Sequence, residues 1–222
     1  MCGRYYVDDE TEDEIERVFC MITSGRETPS ATDKTNITDK NEITGRIREN
    51  EKTGKAGITT RDILPTDPAP VIGLTDNGAI IRQLRWGIAG LQKGQPIINA
   101  RSETVMEKPM FKNGIRNTRL VIPAAGFYEW NRNREKNIFT RQDGKGLFMA
   151  GFAVGNGEDE RFTILTTAAN ASVVPVHERM PLILEEREIG AWLSDMKAAE
   201  EILHKVPVLL ERRTQFEQMS FF

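Results

Sequence analysis

Apolar residues recur along this chain in two rhythms. Between Thr11 and Ile22 the apolar side chains Ile15, Val18, Phe19 and Ile22 fall three or four positions apart, which predicts a helix with one buried face. Thr11 followed by Glu14 has the spacing of a capping box at its start. Elsewhere the rhythm is that of strands, short apolar runs bounded by turn residues. Residues 3–7 predict a first strand. Residues 68–74 and 79–86 flank Asp76-Asn77-Gly78, a strong hairpin turn. Residues 97–101 predict another short strand, with Ser102 as the N-cap of a following helix and Glu103 in its first turn. Residues 119–123 and 126–130 bracket a kink at Ala124-Ala125. Residues 138–141 and 147–154 flank Asp143-Gly144, and 162–168 follow another glycine-containing turn. Two short helices are predicted over 185–193 and 196–205, after which Val206-Pro207-Val208 returns to extended chain.

Turns at intervals of roughly ten residues predict an α+β fold. Its core is a mixed, mainly antiparallel sheet forming a barrel-like body, with short helices at the periphery. No strand–helix alternation supports a doubly wound sheet. The 222 residues suit a single domain over 1–222. Residues 24–55 turn to Thr, Asp, Lys, Asn, Glu and Gly with no aromatic side chain, and predict a polar insertion. The chain is 39% hydrophobic and 28% charged, which agrees with part of it lying outside any core.

Charge and motifs narrow the chemistry. A net charge of −3 leaves only a local arginine patch as a route to nucleic acid. Two cysteines make no disulfide framework and point to a reducing cytoplasm. No apolar run reaches membrane-spanning length. Two cysteines and two histidines lack the paired spacing of a zinc site, so no metal is expected. Phosphate-binding loops, a nucleophile elbow and His-Glu-x-x-His are all absent.

The candidate chemistry starts at Cys2. Once Met1 is removed, Cys2 carries an amine and a thiol on adjacent carbons, with ordinary pKa values of about 7.7–8.0 and about 8.5. Such a 1,2-aminothiol condenses with an aldehyde to an imine and then closes a thiazolidine. It also serves as an amino-terminal nucleophile on an acyl group. The plainer reading makes Cys2 a small residue opening an edge strand. Asn99-Ala100-Arg101-Ser102-Glu103 places polar groups where strand meets helix, either as a site or as a cap with a surface arginine. Glu129, between Phe127-Tyr128 and Trp130, is a desolvated acid if it faces inward and a solvated one if it faces outward. His177 is catalytic or structural. His204, in a charged helix, is a surface residue, and Cys20 is expected to be packed beside the apolar face of its helix.

Five segments in order resemble the SOS-response-associated peptidase (SRAP) family. They are Met1-Cys2-Gly3-Arg4, Trp86-Gly87, Ile98-Asn99-Ala100-Arg101-Ser102-Glu103-Thr104, Ile122-Pro123-Ala124 with Gly126-Phe127-Tyr128-Glu129-Trp130, and Thr166-Thr167-Ala168-Ala169-Asn170 running on to His177-Glu178-Arg179-Met180-Pro181. The resemblance implies a protein that senses abasic sites in single-stranded DNA and shields them through a covalent thiazolidine crosslink at Cys2. It implies that Asn99 positions the amine or sugar, that Glu129 moves protons, and that His177 assists sugar ring opening and reversal. Arg4, Arg101 and Arg179 would hold phosphates, Trp86 would stack on a base, Thr167 would touch the DNA backbone, and Pro65 would wedge the strand. No cofactor is implied, and the partner would be abasic single-stranded DNA met by a cytoplasmic monomer. Two further readings stand beside it: a thiol peptidase that removes its own Met1 with the same Cys2, Asn99, Glu129 and His177, and a non-catalytic single-strand-binding module in which Cys2 is only a strand residue. The family's usual Arg-Tyr-Asn-Ile-Ala-Pro reads Arg61-Asp62-Ile63-Leu64-Pro65 here, without the asparagine and the aromatic.

Overall fold

The structure, a computed structural model, describes residues 2–24, 60–90 and 94–215. The polar insertion lies, from residue 25 onward, outside the described residues. Two sheets form the body. The first is built from β1 (Tyr5–Val7), β2 (Arg61–Ile63), β7 (Gly126–Trp130), β8 (Lys136–Arg141) and β13 (Leu210–Gln215), in the order β13-β8-β7-β1-β2. The second centres on β3 (Pro68–Thr75), β4 (Gly78–Trp86), β6 (Arg119–Ala124), β9 (Leu147–Val154) and β10 (Arg161–Ala168). β10 pairs with β4 in parallel and with β9 antiparallel, while β3 pairs with both β4 and β6, and β6 with β9. These five strands therefore close into a ring. β5 (Asn99–Arg101) and β11 (Arg179–Pro181) attach to β10, and β12 (Ile183–Leu184) to β9. The expected mixed, mainly antiparallel and closing sheet is what the chain forms.

β6 and β9 are buried on both faces, which is why they read as nearly continuous apolar runs. Leu120, Ile122 and Met149 face an inner core shared with Tyr5, Phe127 and Phe139 of the first sheet. Val121, Phe148 and Ala150 face outward, under the helices. The bend at Ala125 passes the chain from the ring (β6) to the first sheet (β7), so the kink is the corner between the two.

The helices differ from expectation mainly at their ends. In α1 (Asp9–Ser24), Ile15 and Val18 are buried. Its cap is Asp8, not Thr11: the Asp8 carboxylate accepts from the Thr11 amide at 2.9 Å, and the Thr11 hydroxyl accepts from the Asp8 amide at 3.1 Å. Cys20 is exposed rather than packed, because it lies to one side of the narrow stripe that Ile15 and Val18 bury. Ser102 caps no α-helix. It opens a single 3-10 turn (Ser102–Thr104) and is buried. The helix that follows, α2 (Pro109–Asn117), has Pro109 in its first turn and escapes the apolar rhythm because it is short. α3 (Glu186–Ser194) is capped by Glu185 in a capping box with Glu188, and α4 (Met196–Ile202) by Asp195, whose carboxylate accepts from Lys197 and Ala198. The strands β11, β12 and β13 were not expected, since too few residues alternate in them.

Buried Arg119 holds α2 and α3 to β6. Its guanidinium donates to the carbonyls of Ile115 at 2.5 Å, Leu193 at 3.0 Å and Trp192, all orphaned by the helix ends. α2 also packs closely on β9, where a Cβ added at Gly114 would lie 2.2 Å from the Phe152 ring. Gly114→Ala gains roughly 1 kcal/mol of helix propensity but must displace that ring. A net loss of about 1–3 kcal/mol is expected, read as a lower urea midpoint. An unchanged midpoint would mean the ring yields freely.

Candidate active site

β1 is paired on both edges, with β2 and with β7. Tyr5 lies opposite Phe127, and the Tyr128 amide extends the ladder by donating to the Arg4 carbonyl at 3.0 Å. This fixes the alternation: Tyr5 points into the core, Arg4 points away from it, and the chain before them is carried into the seam between the two sheets. Cys2 is 0% exposed there.

The second sheet supplies the other wall. Trp86 is wholly buried, stands edge-on to Tyr5 at 5.3 Å, and donates its indole N–H to the Ile98 carbonyl at 2.9 Å. The residue after it, Gly87, has φ of 109°, and a Cβ there would meet Pro96 at 2.8 Å. Trp86-Gly87 thus anchors the start of β5. Asn99 follows at once, and its side-chain amide donates to the Cys2 carbonyl at 2.8 Å. Its Oδ1 is buried without a hydrogen-bond partner among the described residues, an acceptor placed beside the amino-terminal segment.

Glu129, on β7, is 4% exposed, so its strand turns it inward. Burial pushes its carboxyl above the usual range, and the nearby His177 acts in the opposite sense. Burial also raises the Cys2 thiol well above its ordinary value, with the Glu129 carboxylate adding to the effect. His177 is half-buried at the end of a turn built on Asn170. Asn170 is buried and donates to the Pro207 and Val208 carbonyls at 3.0 and 2.7 Å, which ties that turn to the strand leading into β13. The His177 Nδ1 accepts from the Arg179 amide at 2.9 Å. The same Nδ1 lies 3.2 Å from the Arg179 carbonyl; the shorter contact is with the amide, which only donates, and it makes Nδ1 the acceptor and Nε2 the hydrogen-bearing nitrogen of the neutral ring. Four distant segments thus bring Cys2, Asn99, Glu129 and His177 to one place.

The rim residues divide. The Arg4 side chain is 36% exposed, pairs with Asp62 at 3.5 Å and lies over the Trp130 ring at 5.4 Å. Arg101 is exposed and Thr167 half-buried. Pro65 is half-buried in a turn closed by the Asp67 amide on the Leu64 carbonyl at 3.0 Å, with Thr66 at φ of 78°. Two expectations fail. Trp86 offers no face to a base, because its ring is core. Arg179 is not held out for a phosphate: it is 8% exposed and donates to both Glu103 oxygens at 2.5 and 2.8 Å and to the Thr166 carbonyl at 2.7 Å. Sequence reasoning missed three neighbours. Tyr5 has a buried hydroxyl without a hydrogen-bond partner among the described residues, and burial, then Cys2, pushes its phenol up. Asp62 holds Arg4 and accepts from the Tyr128 hydroxyl at 2.9 Å. Glu103 holds Arg179. Glu103 stood in the sequence within the polar segment where strand meets helix and Tyr5 within the first predicted strand, but nothing local told of their contacts.

A separate groove of about 510 Å³ lies between α1 and the β8–β9 hairpin, lined among others by Tyr6, Arg17, Arg141 and Lys145. Its cations pair with neighbouring acids, Arg141 with Asp143 and Glu185 and Lys145 with Glu186. It holds none of the four converging residues, so the chemistry belongs to the seam.

A thiol at the second residue, enclosed with an acid and an oriented imidazole on a closed mixed sheet, marks a protein built around its own amino terminus. The chain belongs to the SOS response associated peptidase (SRAP) family, whose profile matches residues 1–220. It is 32% identical over 156 residues to the abasic site processing protein YedK of Escherichia coli, covering 60% of this chain and 69% of that protein. It is 32% identical over 155 residues to YoaM of Bacillus subtilis, also named an abasic site processing protein, covering 61% and 67%. The crystal structure of a phage-related protein from Bordetella bronchiseptica shares the fold, with a TM-score of 0.68 at 22% identity over 97% of this chain and 95% of that one. No helix among the described residues is long and apolar enough to cross a membrane.

The burial of Cys2 has a direct consequence. Only the thiolate attacks iodoacetamide readily, so in the native protein at pH 8 exposed Cys20 is expected to be alkylated first. Cys2 should react only after denaturation. Peptide mass mapping checks the order, and equal rates would show that the seam is open.

Proposed function

We propose that the protein captures abasic sites in single-stranded DNA by forming a thiazolidine with its amino-terminal cysteine after Met1 is removed. The observation that carries this reading is the enclosure of Cys2 with Glu129 and Asn99 in one seam. The names of the related proteins support the choice of lesion.

The chemistry follows from the groups present. An abasic deoxyribose in its open form carries an aldehyde at C1′. The Cys2 amine adds to that carbon, and loss of one water leaves an imine. The Cys2 sulfur then bonds to the same carbon and closes the ring as the C=N pair moves to nitrogen: Glu129 takes the thiol proton and hands one to that nitrogen, which becomes the ring N–H. A buried carboxylate with a raised pKa is the stronger base for that proton. The thiol stays protonated until the imine forms, which keeps the seam from holding two negative charges side by side. Asn99 holds the Cys2 carbonyl and so aims the amine. As the closed form opens, the C1′–ring-oxygen bond breaks, the anomeric hydroxyl gives up its proton and the ring oxygen gains one; the His177 Nε2–H hydrogen-bonds that oxygen through the change, and does so again when the crosslink reverses. Arg4 and Arg101 hold phosphates on either side. Pro65 and Thr167 lie beside the path of the strand. No step calls for a cofactor, and one copy of the chain supplies every group.

Met1-free protein mixed with an abasic single-stranded oligonucleotide should give a heat-stable shift on a denaturing gel. Cys2→Ala should abolish that shift and leave weak, salt-sensitive binding. Glu129→Gln should slow it by roughly a hundredfold or more. A shift that persists in Cys2→Ala would defeat the proposal.

A further inference from the structure

We propose that Glu103 is a positioning residue for His177, acting through Arg179. This rests on the role given to His177 above. Three contacts carry it. Both Glu103 oxygens accept from the Arg179 guanidinium, at 2.5 and 2.8 Å, in the planar fork geometry that only arginine offers. The same guanidinium donates to the Thr166 carbonyl on β10 at 2.7 Å. The backbone amide of that same arginine donates to the His177 Nδ1 at 2.9 Å.

The placement of the pair along the chain gives it a purpose. Glu103 lies in the 3-10 turn directly after β5, the strand that carries Asn99. Arg179 opens β11, just beyond His177. The ion pair therefore staples the segment bearing Asn99 to the segment bearing His177, across β10, with which both strands pair. Arg179 hydrogen-bonding drives the Glu103 carboxyl below its usual range, so Glu103 is charged at neutral pH and the staple is closed. With Arg179 fixed, its amide stays on Nδ1 and the imidazole keeps its hydrogen on Nε2. Loosening the fork lets β11 shift, and the ring then samples the other tautomer and other orientations. A shift of that kind weakens catalysis while leaving every reacting group in place.

Long-range proton–nitrogen NMR of the free protein reads the tautomer without any DNA. Wild type should show Nδ1 unprotonated in a single state, and Glu103→Ala should show a mixture. On abasic oligonucleotide, Glu103→Ala should slow crosslink formation and reversal by roughly ten- to a hundredfold. Arg179→Lys, which keeps the charge but loses the fork, should behave alike. Adding Glu103→Ala to His177→Ala should cost nothing further, because both changes act on one group. Binding to undamaged single-stranded DNA should not change. If Glu103→Ala leaves the tautomer single, or its effect simply adds to that of His177→Ala, the proposal is overturned. It is overturned equally if Glu103→Ala tightens DNA binding and steepens its salt dependence, for then Glu103 masks a phosphate-binding arginine. Should Glu103→Ala not fold, Glu103→Gln carries the same measurements with the side-chain shape kept. If wild type gives no crosslink at all, the proposed reaction fails, while the tautomer comparison still decides the role of Glu103.

Discussion

The site depends on the packing of the first sheet across the open side of the strand ring. Tyr5 against Trp86, and Trp86 stacked on Phe162 at 6.5 Å, form the contact that holds the two sheets in register. All three rings are wholly buried. Aromatic pairs of this kind add about 0.5–1.5 kcal/mol beyond the area they bury, and here they also set geometry. Glu129 lies in one sheet and Cys2 in the segment leading into it, whereas Asn99 and His177 belong to segments attached to the other. Without that contact no seam exists for the four to share. The motif tryptophan is therefore a support for the site rather than a part of its surface.

Enclosing an amino-terminal segment has an electrostatic cost, and the seam shows how it is met. The thiol and the carboxyl are both raised by burial, and the Glu129 carboxylate further resists ionisation of the thiol. A surface cysteine would be a thiolate more often, but it would also meet every electrophile in solution. Here the thiol is shut away from solution. The whole chain carries a net charge of −3, so any cationic character at the rim, where Arg4 and Arg101 lie, is local. Arg4 is itself restrained by Asp62 and Trp130. These two contacts hold the guanidinium in a set place.

Particular elements show where the sequence was legible. The β3–β4 hairpin and the strands β6, β7, β9 and β10 were readable because each is long enough for its pattern to exceed chance, or is punctuated by Gly, Asn or Asp. The helix α1 was readable from its apolar stripe, although its cap fell three residues early, on Asp8. β11 and β12 were not readable: three and two residues hold no period, and partners far away in sequence decide their pairing. Trp86 and Arg179 were misread for a common reason. Each belongs to a short motif that tells of proximity to the site, but a motif does not say whether a side chain points to the ligand or to the scaffold beneath it.

By itself, the sequence determined the class of fold and the aminothiol that removal of Met1 would create, which are properties of residue types and local spacing. It named Asn99, Glu129 and His177 beside Cys2 only through the family resemblance, the residues themselves leaving site and scaffold both open. The tertiary structure decided which way each side chain faces. Glu129 turned inward because the register of β7 with β1 put Phe127 opposite Tyr5. Arg179 turned away from solvent because β10 and Glu103 offered it a carbonyl and a paired carboxylate. Contacts between residues 76 positions apart, as Glu103 and Arg179 are, come from closure of the ring. No local pattern in the chain encodes them.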